Sequence, residues 1–206
     1  MIVVREPILK PVTILSLRPT QITVGMIEVE DKRKHLDGMG HHERREYLKA
    51  RPIPAVLGPD DKLYITDHHH LARALHDAGY DTGFFLVEAD LSKLAPEAFW
   101  KAMDERRWVH PIDAQGKRQS TDDIPHHVQK LLDDPYRSLA GYVREAGGYM
   151  KTDTAFAEFL WADFFRARIA IGPTRSDFEA AVKQALALAH SEHARHLPGY
   201  TAQAPR

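Results

Sequence analysis

Cysteine is absent from all 206 residues. That excludes disulfides, a thiolate nucleophile and any cysteine-ligated metal. Net charge is nearly absent as well. The 28 Lys and Arg against 29 Asp and Glu leave −1 with histidine neutral, so the chain is no uniformly basic coat for nucleic acid. No apolar run approaches the ~20 residues of a membrane span. The first eleven residues are interrupted by Arg5, Glu6, Pro7, Lys10 and Pro11, unlike a signal peptide. A cytoplasmic protein with no membrane partner is the expectation. Hydrophobic residues at 43% and charged residues at 28% are ordinary for a folded domain. The length suits one large domain, or a small one with an appendage. What the chain has in plenty is histidine, 13 in all.

Three of these are consecutive, in Asp67-His68-His69-His70-Leu71-Ala72-Arg73. The apolar run Leu63-Tyr64-Ile65-Thr66 before them predicts a strand, and Leu71–Ala78 after them predicts a helix with Asp67 as its N-cap. A strand entering a helix gathers free N–H groups and the positive end of the helix dipole, which suits phosphate. Histidines and an arginine there add donors, a general acid or base, and positive charge.

Further strands are expected at 12–17, 53–57 and 83–88, with 62–66 returning on 53–57 as a hairpin across Gly58-Pro59-Asp60-Asp61. Helices are expected at 22–36, 43–50 and 96–103, then at 125–133, 136–146, 154–171 and 176–196. The tail from Pro198 is expected to be loose. The sum is an α+β protein: a small mixed-sheet domain over 1–95 and a mainly α-helical region over 96–206 packed on it.

With these elements placed, the motifs resemble the ParB/sulfiredoxin superfamily, and within it the ParB-like nuclease group. The resemblance rests on Leu17-Arg18-Pro19-Thr20-Gln21 with Val24-Gly25-Met26, on Ile53-Pro54 and Val56-Leu57-Gly58-Pro59, and on Tyr64 through His70 with Arg73. Asp133 through Ala140 and Phe156 through Ala162 also look like this group. The Asp67 motif is similar to the Asp-Gly-His-His-Arg box of kinase-like members. The resemblance implies a nucleotide-binding fold whose phosphates lie against the helix start after the box. Partition proteins that hydrolyse CTP, sulfiredoxins that use ATP, and free-serine kinases share that phosphate handling. The sulfiredoxin reaction needs a cysteine and is excluded here.

The expected ligand is a nucleotide, ATP, ADP or CTP, with Mg²⁺. Glu28, Asp67, His69 and His70 are the catalytic candidates, and Gln21, Gly25, Lys32, His68 and Arg73 the ligand-binding ones. Consecutive helical residues lie about 100° apart, so the three histidines cannot all face one point. Arg73 is placed either to hold a phosphate or to pair with Asp77. Glu28 is a candidate base or Mg²⁺ ligand. Residues 31–51 carry seven Lys/Arg against four Asp/Glu, a local excess that suits phosphate or nucleic acid. Nuclease, nucleotide hydrolase and phosphotransferase chemistry stay open. The alternatives are a non-catalytic nucleotide-sensing or DNA-associated module, or a histidine metal-binding protein, in any oligomeric state. His190, His193 and His196 recur at helical spacing, as a zinc site or a dipole-stabilised helix end would need.

Overall fold

The computed structural model describes residues 10–202. Most of the interrupted N-terminal segment, and the last four residues of the tail, lie outside them. The chain divides into two compact units after Asp133. Residues 96–133, which the sequence places with the helical region, thus belong with the mixed sheet.

In the first unit β1 (Lys10–Thr13), β2 (Leu17–Arg18), β4 (Ile53–Leu57), β5 (Leu63–Ile65) and β6 (Thr82–Asp90) form one sheet in the order β1-β6-β4-β5-β2. The pairs β1·β6 and β4·β5 are antiparallel, and β4·β6 and β2·β5 are parallel. The hairpin across Gly58 forms as its turn chemistry predicts. A Cβ at Gly58 would stand 2.6 Å from the Tyr64 ring, so the close approach requires glycine there. A short pair, β3 (Thr23–Val24) with β7 (Leu132–Asp133), lies apart from the main sheet.

The sheet is covered on both faces, as a fully buried sheet requires. Ile53, Ala55, Ile65 and Phe85 pack with Val29 and Leu36 of α1 (Met26–Asp37) and Leu75 of α3 (His69–Asp77). Val56 and Ala89 pack with Phe99 and Met103 of α4 (Pro96–Glu105). Between α1 and β4 runs α2 (His41–Lys49).

The second unit is helical. It consists of α5 (Pro135–Glu145), α6 (Ala157–Arg166) and α7 (Arg175–Ala189) around Leu139, Val143, Trp161, Phe165 and Phe178. The aromatic spacing of α6 predicts packing, and Phe159, Trp161, Phe164 and Phe165 are buried, whereas Leu160 is exposed. Trp161 stacks on Tyr149 with ring centroids 4.3 Å apart.

Four expectations need correction. The strand at 12–17 breaks at Thr13, and a 3₁₀ turn over Ile14–Ser16 separates β1 from β2. The first helix begins at Met26 rather than Ile22, because Thr23 and Val24 are taken by β7. The helix at 125–133 is a 3₁₀ turn followed by β7. The tail is pinned as far as it is described: Trp161 Nε1 donates to Pro198 O at 2.8 Å and Met150 N to Gly199 O at 2.8 Å.

At the start of α7 a capping box closes on itself. Thr174 Oγ1 and N–H both bond Asp177 Oδ2, at 2.6 and 3.0 Å, and Asp177 N–H returns to Thr174 Oγ1 at 3.1 Å. The Thr174 side-chain and backbone bonds hold the Asp177 carboxyl below its usual range. A carboxyl with a lowered folded-state pKa stabilises above its unfolded pKa, and that stability is lost as the pH falls through the folded value. The melting temperature is therefore expected to fall below about pH 4, and more shallowly in Asp177→Asn, as a thermal series against pH would show. An identical acid slope in the two proteins would contradict this.

Candidate functional site

The strand-to-helix junction sits where the sequence places it, but its chemistry is different. The α3 helix starts at His69, two residues earlier than expected, and its N-cap is His68. His68 has φ 61° and ψ 27°, a left-handed conformation that costs a non-glycine residue roughly 1–2 kcal/mol. Asp67 is not the cap. It is exposed, and its Oδ1 accepts from the His68 N–H next door at 2.6 Å.

With the helix starting earlier, His69 and His70 fall in its first turn and point inward, 2% and 8% exposed. Each Nε2 accepts a backbone N–H. Thr20 N lies 3.1 Å from His69 Nε2, and Gly25 N lies 2.9 Å from His70 Nε2. The Thr20 hydroxyl donates to Ile65 O at 2.7 Å, leaving the Thr20 N–H to serve His69. An imidazole nitrogen that accepts a hydrogen bond carries no proton, so both rings are held as the Nδ1–H tautomer. The two histidines fasten the segment 20–25 to α3.

The same fastening brings two helix N-termini together. Gly25 is the N-cap of α1, and Met26 N donates to Asp133 Oδ1 at 2.8 Å. Glu28 lies in the first turn of α1, mostly buried at 15% side-chain exposure. Its Oε1 is 3.1 Å from Lys32 Nζ and its Oε2 is 3.6 Å from His70 Nε2. The second distance is a contact rather than a hydrogen bond. Because Nε2 already accepts from Gly25, that contact is not an ion pair.

Gly25, Glu28, Lys32, His69 and His70 are thus linked through these contacts, with His68 next to His69 and Gln21 next to Thr20 in the chain. Gln21 is 7% exposed, and its Oε1 is buried with no hydrogen-bond partner. Two candidates are not joined to these contacts. Arg73 pairs with both Asp77 oxygens, at 3.0 and 2.8 Å, and donates to Leu131 O at 2.8 Å, so the ion-pair alternative is the one that forms. Asp67 is exposed, as described.

Two residues outside the candidate set hold the region together. Thr20 is fully buried and serves both His69 and Ile65. Its place beside Pro19 was the available signal. Asp133 caps α1 from 107 residues away, and no local pattern announces such a partner.

Among the described residues no group of three or more His, Asp or Glu converges as a metal site. His190 Nδ1 bonds Thr201 O at 3.0 Å, and His196 lies edge-on to Phe164. No helix of the described chain is long and apolar enough to cross a membrane.

The fold and the motif agree with what the chain is similar to. No curated protein matches it. Protein Atu1540 from Agrobacterium tumefaciens, known from a crystal structure, is 44% identical, with a TM-score of 0.88 over 96% of this chain and 98% of that one. Residues 10–167 match the family described as "Putative ParB-like nuclease". The chain belongs to that ParB-like nuclease family.

Proposed function

We propose that the chain carries out phosphoester chemistry on a nucleotide, ATP, ADP or CTP, or on a related phosphodiester, at the meeting of α1 and α3. The observation that supports this most is the convergence of two helix N-termini on a carboxylate and an amine, Glu28 and Lys32. Helix N-termini favour phosphate, and a mostly buried carboxylate beside them suits a general base. Lys32 neutralises charge on a phosphate once it exchanges Glu28 for the ligand. The histidines position the segment 20–25 rather than pass protons, since their Nε2 atoms hold backbone N–H groups.

Mg²⁺ fits this arrangement in one manner. A single carboxylate does not make a cage, but Mg²⁺ is commonly held by one or two carboxylates plus substrate phosphates, which Glu28 satisfies. When bound, the ion would neutralise phosphate charge.

Calorimetry with ATP, ADP and CTP, with and without Mg²⁺, together with phosphate release in the same samples, tests the proposal. Glu28→Gln is expected to keep binding within a few-fold and to lower turnover by about 10²–10⁴. Absence of both binding and turnover in the unmodified protein would overturn it. The commitment of both histidines to backbone bonds favours a second reading, a nucleotide-sensing module. Saturable binding with no phosphate release would select that reading.

A further inference from the structure

Between α2 and the start of β6 lies a cleft of about 460 Å³, within the ~300–1,000 Å³ of small-molecule sites. Tyr80 and Phe84 give it aromatic surface, and Arg44, Arg45 and Lys49 of α2 its cations. The Arg44 guanidinium lies 4.1 Å from the Tyr80 ring centroid, and its Nη1 donates to the carbonyls of Leu36 and Met39, at 3.5 and 3.2 Å. Among the described residues its Nε and Nη2 make no hydrogen bond. The Arg45 guanidinium, on an exposed residue, lies 5.9 Å from the Phe84 centroid, at the outer limit of a cation–π contact. Tyr80 is held in turn by its hydroxyl, which donates to Asp37 Oδ1 at 3.4 Å.

The charges of the cleft do not cancel. Lys49 is paired with Glu46 at 2.8 Å, and Asp81 stands on the wall. Among the described residues no carboxylate lies within ion-pair distance of Arg44 or Arg45. Two unmatched guanidiniums against the one carboxylate of Asp81 call for a single further negative charge. The surroundings disfavour two. The wall at Tyr80 follows the carboxyl end of α3, which carries partial negative charge. The N–H groups there are already spent: Ala78 donates to Ala74 O, Gly79 to His76 O and Tyr80 to Leu75 O. A phosphate would find neither a helix N-terminus nor free backbone donors on that wall.

We propose that this cleft binds a small monocarboxylic acid with a flat aromatic body. The carboxylate sits on the guanidiniums of Arg44 and Arg45, whose planar forks match its two oxygens. The body lies against Tyr80 and Phe84, where flat rings stack and shed water. A guanidinium already ordered by a ring and two carbonyls loses little further freedom when it takes an anion. Asp81 then works against the bound acid and sets an upper bound on the charge the cleft accepts. The inference does not rest on catalysis at Glu28.

Ligand-observed NMR titration of the full-length protein tests it, with 2-naphthoate as the probe. Its neutral isostere 2-naphthamide, acetate, which has the charge without the body, and inorganic phosphate are the comparisons. Naphthoate is expected to bind saturably, and the amide and acetate each about tenfold or more weakly. Phosphate at the same concentration is expected not to displace it. Arg45→Gln removes an exposed cation with no packing to lose and is expected to weaken naphthoate about tenfold. Asp81→Asn is expected to tighten it by about twofold or more, since a like charge leaves the wall. Lys101→Gln, on an exposed lysine elsewhere, is expected to leave affinity within about twofold. Glu28→Gln is expected to bind naphthoate as the unmodified protein does, so a failed site at Glu28 and a failed cleft are told apart. Naphthamide bound as tightly as naphthoate, displacement by phosphate, equal losses in Arg45→Gln and Lys101→Gln, weaker binding in Asp81→Asn, or no saturable naphthoate binding would each overturn the proposal.

Discussion

The His69→Ala/His70→Ala protein is expected to lose its fold under conditions where the unmodified protein is stable. Both imidazoles are buried, and each accepts a backbone N–H, from Thr20 at 3.1 Å and from Gly25 at 2.9 Å. Alanine removes the acceptor and leaves the donor buried, at a cost of about 1–3 kcal/mol per orphaned group. The vacated ring volumes add to that. Two such losses consume much of the ~5–15 kcal/mol by which a domain is stable. Denaturant unfolding followed by far-ultraviolet circular dichroism measures this directly. His70→Gln keeps an acceptor at a similar reach and is expected to recover part of the loss. A double-alanine protein with an unchanged midpoint would show that these bonds do not hold segment 20–25. It follows that loss of nucleotide binding in the alanine variants says little about phosphate recognition. Glu28→Gln is the cleaner probe.

Asp134→Ala is expected to destabilise the helical unit by about 3–5 kcal/mol. Asp134 is 1% exposed and opens α5, where its Oδ1 accepts the Tyr136 N–H at 3.0 Å. Its Oδ2 receives the guanidinium of Arg166, which also binds Asp163. Removing the carboxylate leaves that cation, 17% exposed, beside a cavity and also strips the helix of its cap. Asp134→Asn retains the capping oxygen and is expected to cost less than the alanine change. Thermal unfolding followed by near-ultraviolet circular dichroism, to which the stacked Trp161 and Tyr149 contribute, reports on this unit. A melting temperature within about a degree of the unmodified protein would refute the expectation.

Local chemistry made much of this architecture legible. The run Ile53–Leu57 is a strand with the expected ends, and Gly38 and Gly79 close α1 and α3 as helix punctuation predicts. Long-range pairing was not legible. Ile22, Met26, Ile27 and Val29 have helical spacing, yet Thr23 and Val24 pair with Leu132 and Asp133 instead. The apolar pattern carries no record of a partner more than a hundred residues away.

At the candidate site the resemblance held a cue that residue chemistry obscured. In the Asp-Gly-His-His-Arg box the glycine falls on His68, the one residue at this junction with a left-handed backbone. The box's arginine falls on Leu71, not on Arg73, and Arg73 indeed serves Asp77. The histidines were legible as important but not as latches, because exposure and hydrogen-bond direction are tertiary properties.

The cap on α1 also bears on how the protein is made. Met26 lies early in the chain, and the carboxylate that bonds its N–H arrives 107 residues later with Asp133. At synthesis rates of ~5–20 residues per second, the N-terminal half waits roughly 5–20 seconds for that residue. Until then the start of α1 lacks its cap, and Thr23 and Val24 lack a strand to pair with. The meeting of α1 and α3 is therefore completed only once Asp133 is made, although its other residues, from Thr20 to His70, are made well before.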